Sequence, residues 1–429
     1  MRVSRLLAAA GCAALALAAS VPAQGPGKKG EKCWVCEEDP KVMAAAGIVN
    51  HGPFPFFNSD SDEIVQHLGI NTVLWLETMH FRIGSDLKPW KIPVDQKKAY
   101  RAELELLAQK FPKIDPRKTG TLDRALRLHL SAERMERMYL EMLELVGCAE
   151  ESFRNLPPEE FFAEAWKGDW NKILVEDYLS RPSRPPEWPN WVDMGRYFGM
   201  PMKFEILMFH YKSDMERFKR DYIGHENTHP QRWHCTVKVD VGQPKSRCLW
   251  IGFSTEAEGM TEDQHVHNTL LHNVGINMLD AYMLYLVETP YWLRTGLGHW
   301  LTQKNSTDFN FYDLDEGAGE LNANERDWPV AVRKLAVSGE APTFLQLAKL
   351  QSYGEMGLND HLVSWSKFCF LRAQDPAAFA QFILLLKKNP DFTANLDAQR
   401  EVMQTCFGWT LPQAEDAWKE WALATYPVK

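Results

Sequence analysis

Two stretches of the chain carry residue types that could do chemistry. Of four histidines, His265, His267 and His272 lie close along the sequence and His299 lies on a following helix that the fold should pair with theirs. An H-x-H pair followed by a further histidine supplies imidazole lone pairs suited to zinc or copper. His272 is followed by Asn273, and Ile276 stands one turn further on. A zinc hydrolase helix sets two histidines at i and i+4 on one face, and a Glu beside the first takes the proton of the metal-bound water. Asn273 cannot accept that proton at neutral pH, and Ile276 has no lone pair. Cys33 and Cys36 form a lone C-x-x-C. It lacks the following His of haem attachment and has no second C-x-x-C to complete a zinc set. A local disulfide is therefore the expectation, with a metal or redox role as the alternative. His225, His229 and His234 with Glu226 match no standard ligand spacing and read as a surface loop.

The elements that must position these groups can be read from periodicity. Residues 71–76 and 80–83 are strand-like, and a long helix is expected at about 121–146. There Leu128, Ala132, Met135, Tyr139 and Met142 recur at three- and four-residue spacing. A strand follows at 203–209, and Ser213-x-x-Glu216 reads as a capping box. A hairpin is expected at 235–253, with Cys235 and Cys248 as cross-strand neighbours. Thr261-x-x-Gln264 reads as a second capping box, opening the His272 helix, which Pro290 ends before another helix at 292–303. If that helix ran on through His265, residues 265 and 267 would point about 200° apart, and 267 and 272 about 140° apart. Those imidazoles converge only if the helix starts later. Beyond an acidic loop (308–327), helices are expected at about 343–352, 358–372, 376–388, 395–406 and 411–424. Strands and a long helix before a helical block mean an α+β fold.

Leu270-Leu-His-Asn-Val-Gly-Ile-Asn-Met-Leu279 and Pro290-Tyr-Trp-Leu-Arg-Thr-Gly-Leu-Gly-His-Trp300 together resemble the two active-site helices of bacterial peptidase-MA-like gluzincins. Thr78-x-His80-Phe81-Arg82-Ile83 is similar to that family's opening strand. Phe407-Gly-Trp-Thr-Leu-x-x-Ala-x-x-Ala-Trp418 is similar to its closing helix. The resemblance covers about residues 68–426, with a Pro/Trp-rich insertion at about 150–200, and implies a zincin-like fold. It puts His272 at the first zinc-ligand position, Asn273 at the general base, Ile276 at the second ligand and Thr295 at the third, normally a Glu. His299 is where a residue supporting a ligand often stands. Catalytic zinc needs three protein ligands and an open position, and here one ligand remains. The resemblance thus implies a degenerate cleft without metal or turnover. The alternative is a zinc-dependent hydrolase with relocated ligands His265, His267, His272 and His299.

Composition narrows the setting. The 429 residues are 45% hydrophobic and 24% charged, as in an ordinary folded protein. Arg2 and Arg5, an apolar run from Leu6 to Ala19 and Val21-Pro22-Ala23 read as a signal peptide cleaved after Ala23, which makes the protein secreted or periplasmic. A lipid anchor at Cys12 is the lesser alternative. Residues 24–67 read as a linker and a C-x-x-C-containing extension. Cleavage removes two of the 48 basic residues and none of the 57 acidic ones, taking the net charge from −9 to −11. Such an acidic chain is a poor binder of phosphate backbones, so nucleic acid is excluded as a partner. No apolar run of about 18 residues follows the signal, so no transmembrane segment is expected. The expected role is binding or scaffolding in the cell envelope, with a peptide or an envelope protein as partner. His51-Gly-Pro-Phe-Pro-Phe-Phe57 is expected to dock on its own domain.

Overall fold

The computed structural model describes residues 33–153, 195–200, 202–224, 229–238, 245–283, 289–314, 317–319, 327–388 and 395–428. The expected signal peptide, most of the expected Pro/Trp-rich insertion, His225 and Glu226 lie outside the described residues, as do the side chains of Cys235 and Cys248. The architecture is α+β, with thirteen α-helices among the described residues, a mixed six-stranded sheet and a C-terminal helical block. Sheet order is β1 (Ile48–Asn50), β4 (Leu74–Thr78), β5 (Phe81–Ser85), β8 (Phe204–Phe209), β10 (Lys245–Ser254) and β9 (Gln231–Lys238). The hairpins β2 (Pro55–Phe56) with β3 (Ser59–Asp60) and β6 (Trp90–Lys91) with β7 (Thr121–Leu122) are minor. No described helix is long and apolar enough to cross a membrane.

The chain divides into two compact units. The first comprises residues 1–134, 206–229 and 252–261. Residues 33–67, expected as linker and extension, are folded from Cys33 onward. The side chain of Asp39 accepts from the amides of Lys41 and Val42, starting helix α1 (Pro40–Ala46) with proline in its first turn. Strand β1 then pairs antiparallel with β4, matching Ile48 to Thr78. Phe54 and Phe56 meet Trp75 edge-on, with ring centroids 5.8 and 5.0 Å apart. The aromatic segment thus docks on its own unit, as an exposed row of such rings would be driven to do. Helices α2 (Ser61–Leu68) and α3 (Lys97–Lys110) and the start of α4 (Arg124–Leu145) complete this unit's core, in which Arg134 pairs with Glu103 at 2.6 Å.

The second unit comprises residues 135–205, 230–251 and 262–429. Its centre is helix α6 (Asp263–Ala281), whose residues are all buried except Gln264. Helix α7 (Tyr291–Asn305) packs against α6 and against α10 (Leu358–Gln374). Between them runs a short hairpin, β11 (Tyr312–Leu314) with β12 (Gly317–Gly319), inside the segment expected as an acidic loop. Helices α8 (Trp328–Ser338), α9 (Phe344–Leu347), α11 (Pro376–Lys387), α12 (Leu396–Phe407) and α13 (Leu411–Thr425) close the unit. Trp418 and Tyr426 both donate to Ser366 Oγ, and the buried Lys367 ammonium pairs with Glu415 over the rings of Phe344 and Trp418.

Neither expected capping box forms. Helix α5 (Lys212–Phe218) begins one residue before Ser213, and α6 begins two residues after Thr261. The Thr261 carbonyl instead accepts from Trp90 Nε1 at 3.0 Å. Capping boxes form at Thr343 with Gln346 and at Thr410 with Gln413, where a threonine does precede the first helical turn.

Candidate functional site

His272 leaves α6 on the side that faces α7, where Thr295 and His299 sit one turn apart. Gly298 makes this approach possible, since a Cβ there would come within 2.7 Å of the His272 ring. The His272 and His299 ring centroids are 5.1 Å apart. Two of the predicted site positions, His272 and Thr295, converge on one residue that sequence reading passed over, Asp313 of β11. His272 Nε2 lies 3.0 Å from Asp313 Oδ1, and Thr295 Oγ1 donates to Oδ2 at 2.5 Å. Arg232 of β9, also passed over, donates from Nη2 to Oδ1 at 3.2 Å and from Nη1 to the Asn273 side-chain oxygen at 2.9 Å. Asn273 in turn donates to the Thr269 carbonyl at 3.0 Å, which fixes its orientation. Ile276 is fully buried and contributes packing.

A further histidine, His361 of α10, completes the cluster, its Nδ1 lying 3.0 Å from His299 Nε2. Tyr312 and Trp328 pack edge-on against His361 and His299, with ring centroids 5.0 and 4.6 Å apart. Burial would raise the Asp313 carboxyl, but the charge and hydrogen bond of His272, with Arg232 and His361, overcome it and hold the group well below the usual carboxylate range. Burial lowers His361 to about 4 and His299 well below the ordinary imidazole value, with the neighbouring histidines adding to the latter. At neutral pH the cluster is therefore an ionised carboxylate paired with a guanidinium beside two neutral imidazoles.

The four histidines expected as an alternative metal set are not brought together. His272 and His299 approach each other, whereas His265 stacks on Phe309 at 4.7 Å and is lowered to about 4 by burial. Among the described residues, the groups with metal-ligand spacing are His299, Asp313 and His361, and separately Cys33, Cys36, His51 and His129. Neither contains His265, His267 or His272. Cys33 and Cys36 are free thiols here.

The expected groove beside the His272 helix is filled by the chain itself. His272, Thr295, His299 and Asp313 are each at most 4% exposed. Hairpin strand β12 lies along β9, so close that a Cβ on Gly317 would fall 2.0 Å from the Pro230 carbonyl oxygen. Trp292 of α7 donates to Gln399 at 2.9 Å. Such a cluster ties β9, β11, α6 and α7 together through one ion pair and the hydrogen bonds around it. Compared with protein-family models, curated proteins and solved structures, the chain matches none.

Proposed function

We propose that this chain is an exported, catalytically silent protein of gluzincin-like descent that acts by binding or scaffolding in the cell envelope. One observation carries the reading. The positions that the resemblance gives to the first zinc ligand, the base and the third ligand, His272, Asn273 and Thr295, all bind one internal ion pair, Asp313 with Arg232. The guanidinium supplies the positive charge that zinc would supply in an active relative, and the carboxylate occupies the His272 nitrogen that would ligate it. A peptide or envelope protein would then be met on the outer surface rather than in the buried cleft.

The test is turnover of denatured protein and mixed peptides by the mature chain, with zinc added. No hydrolysis above background is expected. Zinc-dependent cleavage that disappears in His272→Ala would sink the proposal. A second reading, a hydrolase with relocated ligands, draws on the ligand atoms of His299, Asp313 and His361 lying within 4.8 Å of one another. Against it, both Asp313 oxygens already accept hydrogen bonds, one of them from a cation. A bound zinc lost in His299→Gln would favour that second reading.

A further inference from the structure

The first unit holds four side chains whose arrangement no part of the cleft explains. Cys33 and Cys36 lie in the turn before α1, His51 follows β1, and His129 stands in the second turn of α4. Cys36 Sγ is 3.0 Å from His51 Nε2, and Cys33 Sγ is 3.8 Å from His129 Nε2. The two imidazole centroids are 5.7 Å apart, and the four potential ligand atoms all fall within 4.8 Å of one another. Tetrahedral zinc with bonds of about 2.3 Å to sulfur and about 2.0 Å to nitrogen separates its ligands by roughly 3.3–3.8 Å.

The far nitrogens of both rings identify the tautomer. His51 Nδ1 faces the Trp75 carbonyl at 3.2 Å, and His129 Nδ1 faces the Ala125 carbonyl at 2.9 Å. A carbonyl can only accept, so each Nδ1 carries the proton and each Nε2 turns a lone pair towards the sulfurs. Backbone carbonyls behind metal-ligating histidines hold zinc ligands in this way in general. The neighbourhood is also built up: Trp34 Nε1 donates to Asp123 at 2.8 Å, Lys113 pairs with Glu37, and the Phe111 ring meets His129 edge-on at 5.1 Å.

We infer that Cys33, Cys36, His51 and His129 form a structural zinc site of Cys2His2 type, tying the N-terminal segment to α4. Two thiolates with two imidazoles in a closed set of four match a tetrahedral, borderline-soft divalent ion rather than calcium or magnesium. With no open coordination position, the site holds structure and performs no chemistry. The metal replaces the local disulfide expected of an exported C-x-x-C, and does so independently of the reading given to the cleft.

The test uses the mature chain, reduced, dialysed against zinc alone and then freed of excess metal. About one zinc per chain is expected. It should fall at least tenfold in the Cys33→Ser, Cys36→Ser double variant and stay unchanged in His299→Gln. Cobalt(II) taken up by the unmutated chain should give thiolate-to-metal charge-transfer bands and the visible spectrum of a tetrahedral site, a readout that survives if the cysteine variant fails to fold. His51→Cys should keep the metal with a stronger thiolate band. Reduced chain that takes up no zinc, cobalt bound without thiolate bands, or zinc retained when both cysteines are replaced would overturn the assignment.

Discussion

The two polar centres of this protein use similar side chains to different ends. In the first unit two thiols face two imidazoles, backed by carbonyls that leave a lone pair on each inward nitrogen. In the second, a carboxylate is ringed by His272, Thr295 and Arg232, so the positive charge is a side chain of the chain itself. The contrast teaches how to tell a centre that needs a cation from one that has its own. The first offers acceptors to one another with only thiol protons between them. The second already pairs its carboxylate with a guanidinium, a hydroxyl and an imidazole.

The sharpest way to break this comparison is to remove the built-in cation. Arg232→Met leaves the Asp313 charge buried, and denaturant unfolding should show a loss of about 3–5 kcal/mol. A loss under 1 kcal/mol would mean that the guanidinium does not serve as the cleft's cation. Acid should weaken the same centre by a route of its own. His361 has a folded pKa of about 4 against an ordinary 6.5, so the unfolded chain binds the extra proton between those values. Its contribution is full above pH 6.5 and fades as pH falls to about 4, by roughly 3 kcal/mol in all. The depressed Asp313 carboxyl adds a further loss only below the ordinary carboxylate value of 3.8. Comparing the pH profile of His361→Gln with that of the unmutated chain isolates the imidazole, and superimposable profiles would refute the assignment.

The thiol centre should respond to chelator instead. If it binds zinc, stability should drop by about 2.7 kcal/mol when free zinc is lowered from a hundredfold excess over Kd to none. The Arg232→Met variant should show the same drop, and a larger or smaller one would mean that the two centres are coupled. Thr295→Val removes one hydrogen bond to an ionised group and should cost about 2 kcal/mol. Thr410→Ala, which removes a capping box far in sequence from both, should cost about 1 kcal/mol and alter neither zinc uptake nor the acid profile.

Much of the fold was legible because it rests on local signals. The helices from 358 onward lie within two residues of the expected spans, where apolar periodicity agrees with turn and cap residues. In α4, Leu128, Met135, Tyr139 and Met142 do face the core. Helix α8 was missed beside the acidic loop, although Trp328-Pro329 follows a capping aspartate. The cleft was half legible. His272, Asn273, Thr295 and His299 do converge, but their partners come from elements with no periodic signature. Asp313 sits in a three-residue strand among other acids, and Arg232 is the second residue of a strand whose pattern says nothing of charge pairing. The thiol centre was hidden for a related reason. Its histidines lie 15 and 93 residues beyond Cys36, and no short motif spans such gaps. A histidine among Leu126, Leu128 and Leu130 was the one available signal, since a buried imidazole requires a partner.

The hairpin that lies on β9 has a consequence for how the protein stays apart from its neighbours. Strand β9 ends the six-stranded sheet, and a bare sheet end offers its amides and carbonyls to any neighbouring chain in a crowded compartment. The close approach of Gly317 to Pro230 shelters the beginning of that strand with the molecule's own backbone. Any side chain at 317 would lift the hairpin, and the first symptom would be fibrous self-association rather than a change in binding. Guarding against aggregation is a selective reason to keep a glycine at a position that performs no chemistry.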